Sequence, residues 1–72
     1  MSNSNVQLQD LSFSKFWEFL LEQSIASEET LRVVCNINGS SVDTLNDVLE
    51  VVTSFDFEQY CEDIDYDLED LI

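Results

Sequence analysis

The sequence has no histidine, no proline, one glycine and only two basic residues, Lys15 and Arg32, among its 72 residues. Direct binding to nucleic acid requires Lys and Arg side chains that displace counterions from phosphates. Binding to an anionic membrane surface requires the same positive charge. Two basic residues against 16 acidic ones therefore exclude both functions. No apolar run reaches the about 20 residues of a membrane-spanning helix.

The usual residues of catalytic and metal sites are also scarce. Without histidine, the chain cannot form a nucleophile–imidazole pair, and one glycine cannot build a glycine-rich phosphate loop. Asp63, Asp65 and Asp67 have the spacing of the start of a calcium-binding loop. Leu68, however, stands where such a loop needs glycine. We therefore expect a protein that is not an enzyme, with no catalytic residue, no cofactor and no metal ion.

The compartment is inferred from the first ten residues, which have neither the basic segment nor the apolar core of a signal peptide. We therefore expect a cytoplasmic protein. In that reducing environment Cys35 and Cys61 are expected to be free thiols.

Apolar residues at helical spacing dominate what the sequence does contain, and 44% of the residues are apolar. The spacing predicts helices over about residues 11–24, 28–37 and 41–54, and a fourth helix from about residue 56. We predict an all-α bundle of three or four helices. The alternative is an α+β fold if residues 31–37 form a strand, because that segment is rich in β-branched residues and precedes an Asn-Gly pair.

Start and stop signals favour the helix over that strand. Ser27 is a good N-cap residue, and Glu28 and Glu29 follow in the first turn, where carboxylates interact favourably with the helix dipole. The Asn38-Gly39 pair is typical of a helix end.

The end of the chain combines helical spacing with strong like-charge repulsion. Apolar residues recur from Phe57 to Leu71 at steps of three and four, and acids cover the other positions. Acids four apart repel one another, and acids at a helix C-terminus oppose the dipole. We therefore expect the fourth helix to fray after about residue 65. Residues 1–9 are predicted to be a loose arm and residues 10–72 a single acidic helical domain.

Residues 29–52 resemble the two-helix core of helix-turn-helix regulators. Gly39 lies at the turn, and Cys35 stands where the motif needs a small residue. The packing positions of the motif are matched by Val34, Leu45 and Val48. Asn38 and Ser40 depart from the pattern, which has apolar residues there. The resemblance implies a protein-binding version, because the second helix carries acids and no base to meet phosphates. The alternative is a simple pair of helices joined by a glycine turn.

The net charge of −14 exceeds the magnitude of about 2–8 that keeps a small domain soluble. Carboxylates three or four residues apart on a helix are about 5–6 Å apart, so a row of them imitates a phosphate backbone. Such a row attracts a basic cleft that normally holds DNA or RNA. The alternative is a solvated face without a partner. The predicted phosphate surrogates are Asp43, Asp47, Glu50, Glu58, Glu62, Asp63, Asp65 and Asp67.

These features lead to two functional hypotheses. In the first, the chain is an inhibitor that mimics nucleic acid and occludes the basic channel of a nucleic-acid-binding enzyme. It resembles in kind, through size and charge and no shared motif, the anti-restriction and anti-CRISPR proteins of phages and plasmids, which act in the host cytoplasm. In the second, it is an adaptor or regulatory subunit that binds a protein through an apolar helix face. We predict Trp17, Phe19 and Tyr66 as exposed aromatic anchors. A homodimer through the first helix is a further alternative.

Overall fold

The computed structural model describes residues 6–72, which contain four α-helices and two short 3-10 helices. The α-helices are α1 (Phe13–Glu22), α2 (Glu28–Asn38), α3 (Val42–Thr53) and α4 (Phe57–Asp63), and the 3-10 helices span Leu8–Asp10 and Leu68–Leu71. No strand occurs within residues 6–72, so the all-α prediction is confirmed and the strand alternative for residues 31–37 is wrong. In this described range, no helix is long and apolar enough to cross a membrane.

Each α-helix begins where a side chain caps its first free backbone N–H groups. Ser27 Oγ accepts from the Thr30 N–H at 3.2 Å, and Asp56 Oδ1 accepts from the Gln59 N–H at 2.9 Å. Ser12 and Ser41 cap the other two helices in the same way. Short polar side chains at these positions satisfy donors that have no partner within the helix. The local sequence therefore determines the helix starts.

A three-residue turn, residues 39–41, joins α2 to α3, and the two helices pack against each other. Gly39 has φ +103°, a backbone conformation that disfavours any other residue, and its N–H donates to the Cys35 carbonyl at 2.8 Å. This turn ends α2 where the Asn38-Gly39 pair predicted it. Both interpretations of residues 29–52 require such a packed pair of helices.

The core is built around α3, which packs against α1, α2, α4 and the first 3-10 helix. Its fully buried side chains are Phe16, Phe19, Leu20, Leu31, Leu45, Leu49, Cys61 and Leu71. The Cα radius of gyration is 11.4 Å, close to the about 11 Å expected for a folded chain of this length. The helices therefore enclose one core in spite of the net charge.

The end of the chain differs from the prediction of a long helix that frays. Helix α4 ends at Asp63, and Asp65 adopts a left-handed conformation with φ +61°. The chain then reverses, and Leu71 is buried while its carbonyl accepts from the Ser12 N–H at 2.7 Å. A longer helix would place its acids in repelling rows, whereas the reversal buries Leu71 and packs Leu68 against the core.

The predicted loose arm lies partly outside the described residues, since residues 1–5 are not described. In the described part, Val6 is buried, and Leu8 packs against the core. Residues 6–9 are therefore docked rather than loose. The apolar side chains at alternate positions explain this, because burying them removes apolar surface from water.

Candidate acidic binding surface

Five of the predicted phosphate surrogates form two exposed rows on α3 and α4. Asp43, Asp47 and Glu50 follow one another along α3 at steps of four and three, and Glu58 and Glu62 are four apart on α4. Residues at these spacings share one face of a helix. We call these five residues the acidic α3–α4 surface.

A groove of about 720 Å³ lies where the end of α3 meets α4, and it joins the two rows. Its lining is formed by Glu50, Ser54, Phe55, Asp56, Glu58, Gln59 and Glu62. The structure thus brings Glu50, Glu58 and Glu62 to one place. Asp43 and Asp47 lie on α3 outside the groove. Asp63, Asp65 and Asp67 are exposed, but none of them lines it.

The groove is held in shape by hydrogen bonds between the two helices and the loop that joins them. Asn46 Oδ1 on α3 accepts from the Phe57 N–H, the first of α4, at 3.0 Å. Thr53 Oγ1 donates to the Leu49 carbonyl at 2.7 Å and accepts from the Phe55 N–H at 3.1 Å. These contacts position α4, and with it Glu58 and Glu62, relative to α3.

Both basic side chains are engaged away from the groove. Arg32 Nη2 forms an ion pair with Glu28 Oε2 at 2.8 Å, and Lys15 Nζ donates to the main-chain oxygen of Ile72 at 3.0 Å. Neither residue lines the groove. The charge of the acidic α3–α4 surface is therefore not neutralised by these two cations.

Most of the predicted surrogates have no polar contact of their own. In the described part of the chain, no side-chain hydrogen bond or ion pair is made by Asp43, Asp47, Glu58, Glu62, Asp63 or Asp65. Two others are engaged. Glu50 accepts a long hydrogen bond of 3.5 Å from Asn46 Nδ2, and Asp67 Oδ1 accepts from the Glu69 N–H at 3.0 Å. Asp67 thus caps the second 3-10 helix.

The prediction that Phe19 is an exposed anchor is wrong. Its side chain is only 1% exposed and lies in the core, with ring centroids 4.7 Å from Tyr66 and 5.9 Å from Tyr60. Trp17 is half-buried and packs against the core, with its ring 5.7 Å from that of Phe13. The C-terminal segment, residues 64–72, covers the face of α1 that holds Phe19. The sequence did not predict where this segment packs. Helix α1 therefore offers no large exposed apolar patch for the predicted dimer.

Tyr66 is also packed on the core rather than directed away from it. It is half-buried against Phe19. Burial raises the pKa of its phenol above the ordinary value of 10.0, and the negative charges of Asp70 and Glu22 raise it further. Its ring stabilises the C-terminal segment, and only part of it remains accessible to a partner.

The sequence pattern missed the apolar residues that the structure exposes. Val52 and Phe55 continue the helical series of α3, yet both are exposed, as is Val51 at 83%. The side of the last turn of α3 that carries Val51 and Val52 is therefore left uncovered. The signal that could have found Phe55 is its place between Ser54 and Asp56, where one helix ends and the next begins.

No protein-family model, no curated protein and no solved structure matches this chain. Among residues 6–72, no group of three or more Cys, Asp or Glu side chains is arranged to hold a metal ion. The functional conclusion therefore depends on the charges, burial and contacts of the chain itself.

Proposed function

We propose that this chain is a non-enzymatic binding protein whose acidic α3–α4 surface docks on a basic protein surface that normally holds nucleic acid. One observation carries the proposal. The carboxylates of this surface are exposed, and four of its five residues make no side-chain hydrogen bond or ion pair within residues 6–72. Like charges held this close reduce stability, and a cationic partner relieves the repulsion.

Electrostatic attraction supplies the encounter rate and the choice of partner. Rows of charges of one sign raise association rates because they steer an oppositely charged partner toward them. This effect weakens as salt screens the charges. Each exposed ion pair contributes only about 0.2–1 kcal/mol. Affinity therefore comes from several pairs formed together, as it does when a protein binds a phosphate backbone.

The groove adds a place for one long basic side chain of the partner. Phe55 is 39% exposed at its edge, and Glu50, Glu58 and Glu62 line it. An arginine suits these groups, because a guanidinium binds carboxylates through two parallel hydrogen bonds and stacks on an aromatic face. The aromatic contact contributes about 0.5–1 kcal/mol at an exposed site.

The biological consequence of such docking is inhibition by occlusion. A protein bound in a basic channel excludes the DNA or RNA that the channel serves. This places the chain, as a proposal, with acidic phage and plasmid proteins that act against host restriction or CRISPR enzymes. The shared features are small size, excess negative charge and a helical surface, and not a shared sequence motif.

The test compares two variants that lose the same number of charges from different places. The first neutralises the acidic α3–α4 surface: Asp43→Asn, Asp47→Asn, Glu50→Gln, Glu58→Gln and Glu62→Gln. The control neutralises five exposed acids elsewhere: Glu18→Gln, Glu22→Gln, Glu29→Gln, Glu69→Gln and Asp70→Asn. The wild-type and both variants are immobilised on a resin and incubated with a lysate of the source cell. Captured proteins are then eluted by stepped salt or by duplex DNA or RNA.

We expect the wild-type and the control to capture a basic nucleic-acid-binding enzyme that moderate salt or the duplex releases. The variant of the acidic α3–α4 surface should not capture it. Equal capture by the two variants would show that only net charge matters and would overturn the assignment of the surface. A captured partner that the duplex does not displace would overturn the mimicry.

The second candidate is an adaptor that binds through apolar contacts, and the exposure of Val51, Val52 and Phe55 at the end of α3 favours it. Such a partner should remain bound at about 1 M salt, where the Debye length is about 3 Å. The Val51→Asp variant should release it, whereas neutralisation of Asp43 and Asp47 should leave it bound.

A further inference from the structure

The outer face of α3 carries acidic side chains and ends in an exposed apolar one. Val51 is 83% exposed and lies four residues after Asp47, which lies four residues after Asp43. At 3.6 residues per turn, these three residues and Glu50 fall within about 100° of the circumference of the helix. We call Asp43, Asp47 and Val51 the α3 stripe. It presents two carboxylates and then an apolar side chain, over a rise of about 12 Å along the helix axis.

The surroundings of Val51 carry charge of one sign. Residues 33–72 contain no Lys or Arg, so no base of this part of the chain offsets the acids. Asp47 lies on one side of Val51 along α3, and the groove that Glu50 lines begins at the end of the helix on the other side. A partner that covers Val51 therefore meets carboxylates before it and after it.

We propose that the partner element that docks on the α3 stripe is a basic amphipathic α-helix. It places an apolar side chain against Val51 and Lys or Arg side chains on both sides of it, one turn away. An apolar partner would desolvate the carboxylates of Asp47 and Glu50 without pairing them, and a uniformly basic one would desolvate a cation against Val51. This inference rests on the proposed function and specifies the partner of the same surface.

A helix is the element whose side-chain spacing matches the α3 stripe. Its turns repeat about every 5.4 Å, as those of α3 do, so three successive turns of the partner face Asp43, Asp47 and Val51. An extended segment repeats its side chains on one face about every 6.6 Å and loses this register. Such a segment usually binds by adding to a sheet edge, and no strand within residues 6–72 offers one.

This docking mode combines two dependences that the two functional candidates show separately. Binding through charge alone weakens with salt and does not depend on Val51. Binding through apolar contacts alone depends on Val51 and persists at about 1 M salt, where the Debye length is about 3 Å. A basic amphipathic helix requires both the carboxylates and the valine, so its binding is sensitive to salt and to Val51 together.

The test uses two synthetic alanine-based peptides of about 20 residues, a length that allows a helix to form. In the first, a leucine lies at the centre of one helical face, with two arginines on each side of it at steps of three and four. Either direction of binding then offers the same pattern. In the second, the leucine is moved to the opposite face, so composition and charge are unchanged. Anisotropy of a fluorescent label measures binding to the full chain at about 0.1 M and about 1 M NaCl.

The variants of the chain are Val51→Ser and its matched control Val33→Ser, on α2. Both replace an exposed valine on a helix, 83% and 52% exposed, with an uncharged residue of similar helix propensity. The third variant neutralises the acidic α3–α4 surface. Circular dichroism establishes that each variant keeps the helical content of the wild-type.

At about 0.1 M NaCl, we expect the wild-type and Val33→Ser to bind the first peptide about fivefold more tightly than the second, as a partly buried leucine allows. Val51→Ser should bind the two peptides alike, and about 1 M NaCl should weaken all binding by at least about tenfold. Equal binding of the two peptides to the wild-type, or binding of neither, would overturn the helical partner. A preference that persists in Val51→Ser would overturn the assignment to the α3 stripe. Undiminished binding to the neutralised variant would instead overturn the proposed function.

Discussion

Replacing Phe19 with alanine tests whether this residue stabilises the core or anchors a partner. The ring is 1% exposed, and its centroid lies 6.3 Å from that of Phe16, 5.9 Å from Tyr60 and 4.7 Å from Tyr66. Truncation of a buried phenylalanine costs about 3–5 kcal/mol, from lost burial and the cavity left behind. The lost ring contacts place Phe19→Ala toward the upper end of that range.

That loss is large compared with the stability of a chain of this size. At about 0.05–0.15 kcal/mol per residue, 72 residues give a free energy of unfolding of about 4–11 kcal/mol. Self-repulsion of the acids places the chain toward the lower end. A change of 1 kcal/mol shifts the midpoint of a domain this small by about 4–8 °C. Phe19→Ala should therefore lower Tm by at least about 12 °C.

The assay is thermal unfolding followed by circular dichroism at 222 nm, a wavelength that reports helix, together with the fluorescence of Trp17, the single tryptophan. The matched control is Phe55→Ala, which truncates the same residue type where the ring is 39% exposed. We expect this control to change the free energy of unfolding by less than about 1 kcal/mol.

Phe19→Ala should lose stability, and with it the folded chain that any partner binds, whereas the control separates binding from stability. Phe55→Ala should weaken capture of a basic partner while leaving Tm nearly unchanged. If Phe19→Ala instead melted with the wild-type and lost only partner binding, the assignment of Phe19 to the core would be refuted.

Three further predictions concern pH, the α2–α3 turn and the position of α4. Burial raises the pKa of the Cys61 thiol from the ordinary 9.0 to about 11. Between these values the unfolded state binds fewer protons, so the free energy of unfolding should fall as pH rises from 9 to 11; urea titrations across this range measure it, and Cys61→Ala should flatten the slope. Gly39→Ala should cost about 1–3 kcal/mol in urea unfolding. No atom lies within 4 Å of the added Cβ, so the whole cost is backbone strain at φ +103°; an unchanged midpoint would contradict that account. Asn46→Ala removes the acceptor of the Phe57 N–H and should cost about 1–3 kcal/mol in thermal melts, and an unchanged Tm would show that this bond does not position α4.

Local signals in the sequence predicted the starts of α2, α3 and α4 and the end of α2 to within one residue. Ser27 and Asp56 cap α2 and α4 as short polar residues do wherever a helix begins, and Gly39 ends α2 because few other residues adopt its backbone conformation. These interactions involve residues within four positions of one another. They therefore depend little on the tertiary structure of the rest of the chain.

The candidate site was predicted in part. Exposure of the acids followed from their charge, because burying an unpaired carboxylate is too costly. The meeting of Glu50 with Glu58 and Glu62 depends on how α4 packs on α3, which the bond from Phe57 to Asn46 helps to fix. Asp56 and Phe55 were missed for the same reason.

The sequence by itself determined the helix positions, the apolar series and the excess of negative charge. Only the tertiary structure decided which apolar residues are buried. Helical spacing identifies an apolar face but not what covers it. Phe19 is buried because Tyr66 and the C-terminal segment return to it, whereas Val52 is exposed because its side of α3 is left uncovered. Burial depends on contacts between residues far apart in the chain, and spacing along one helix contains no information about them.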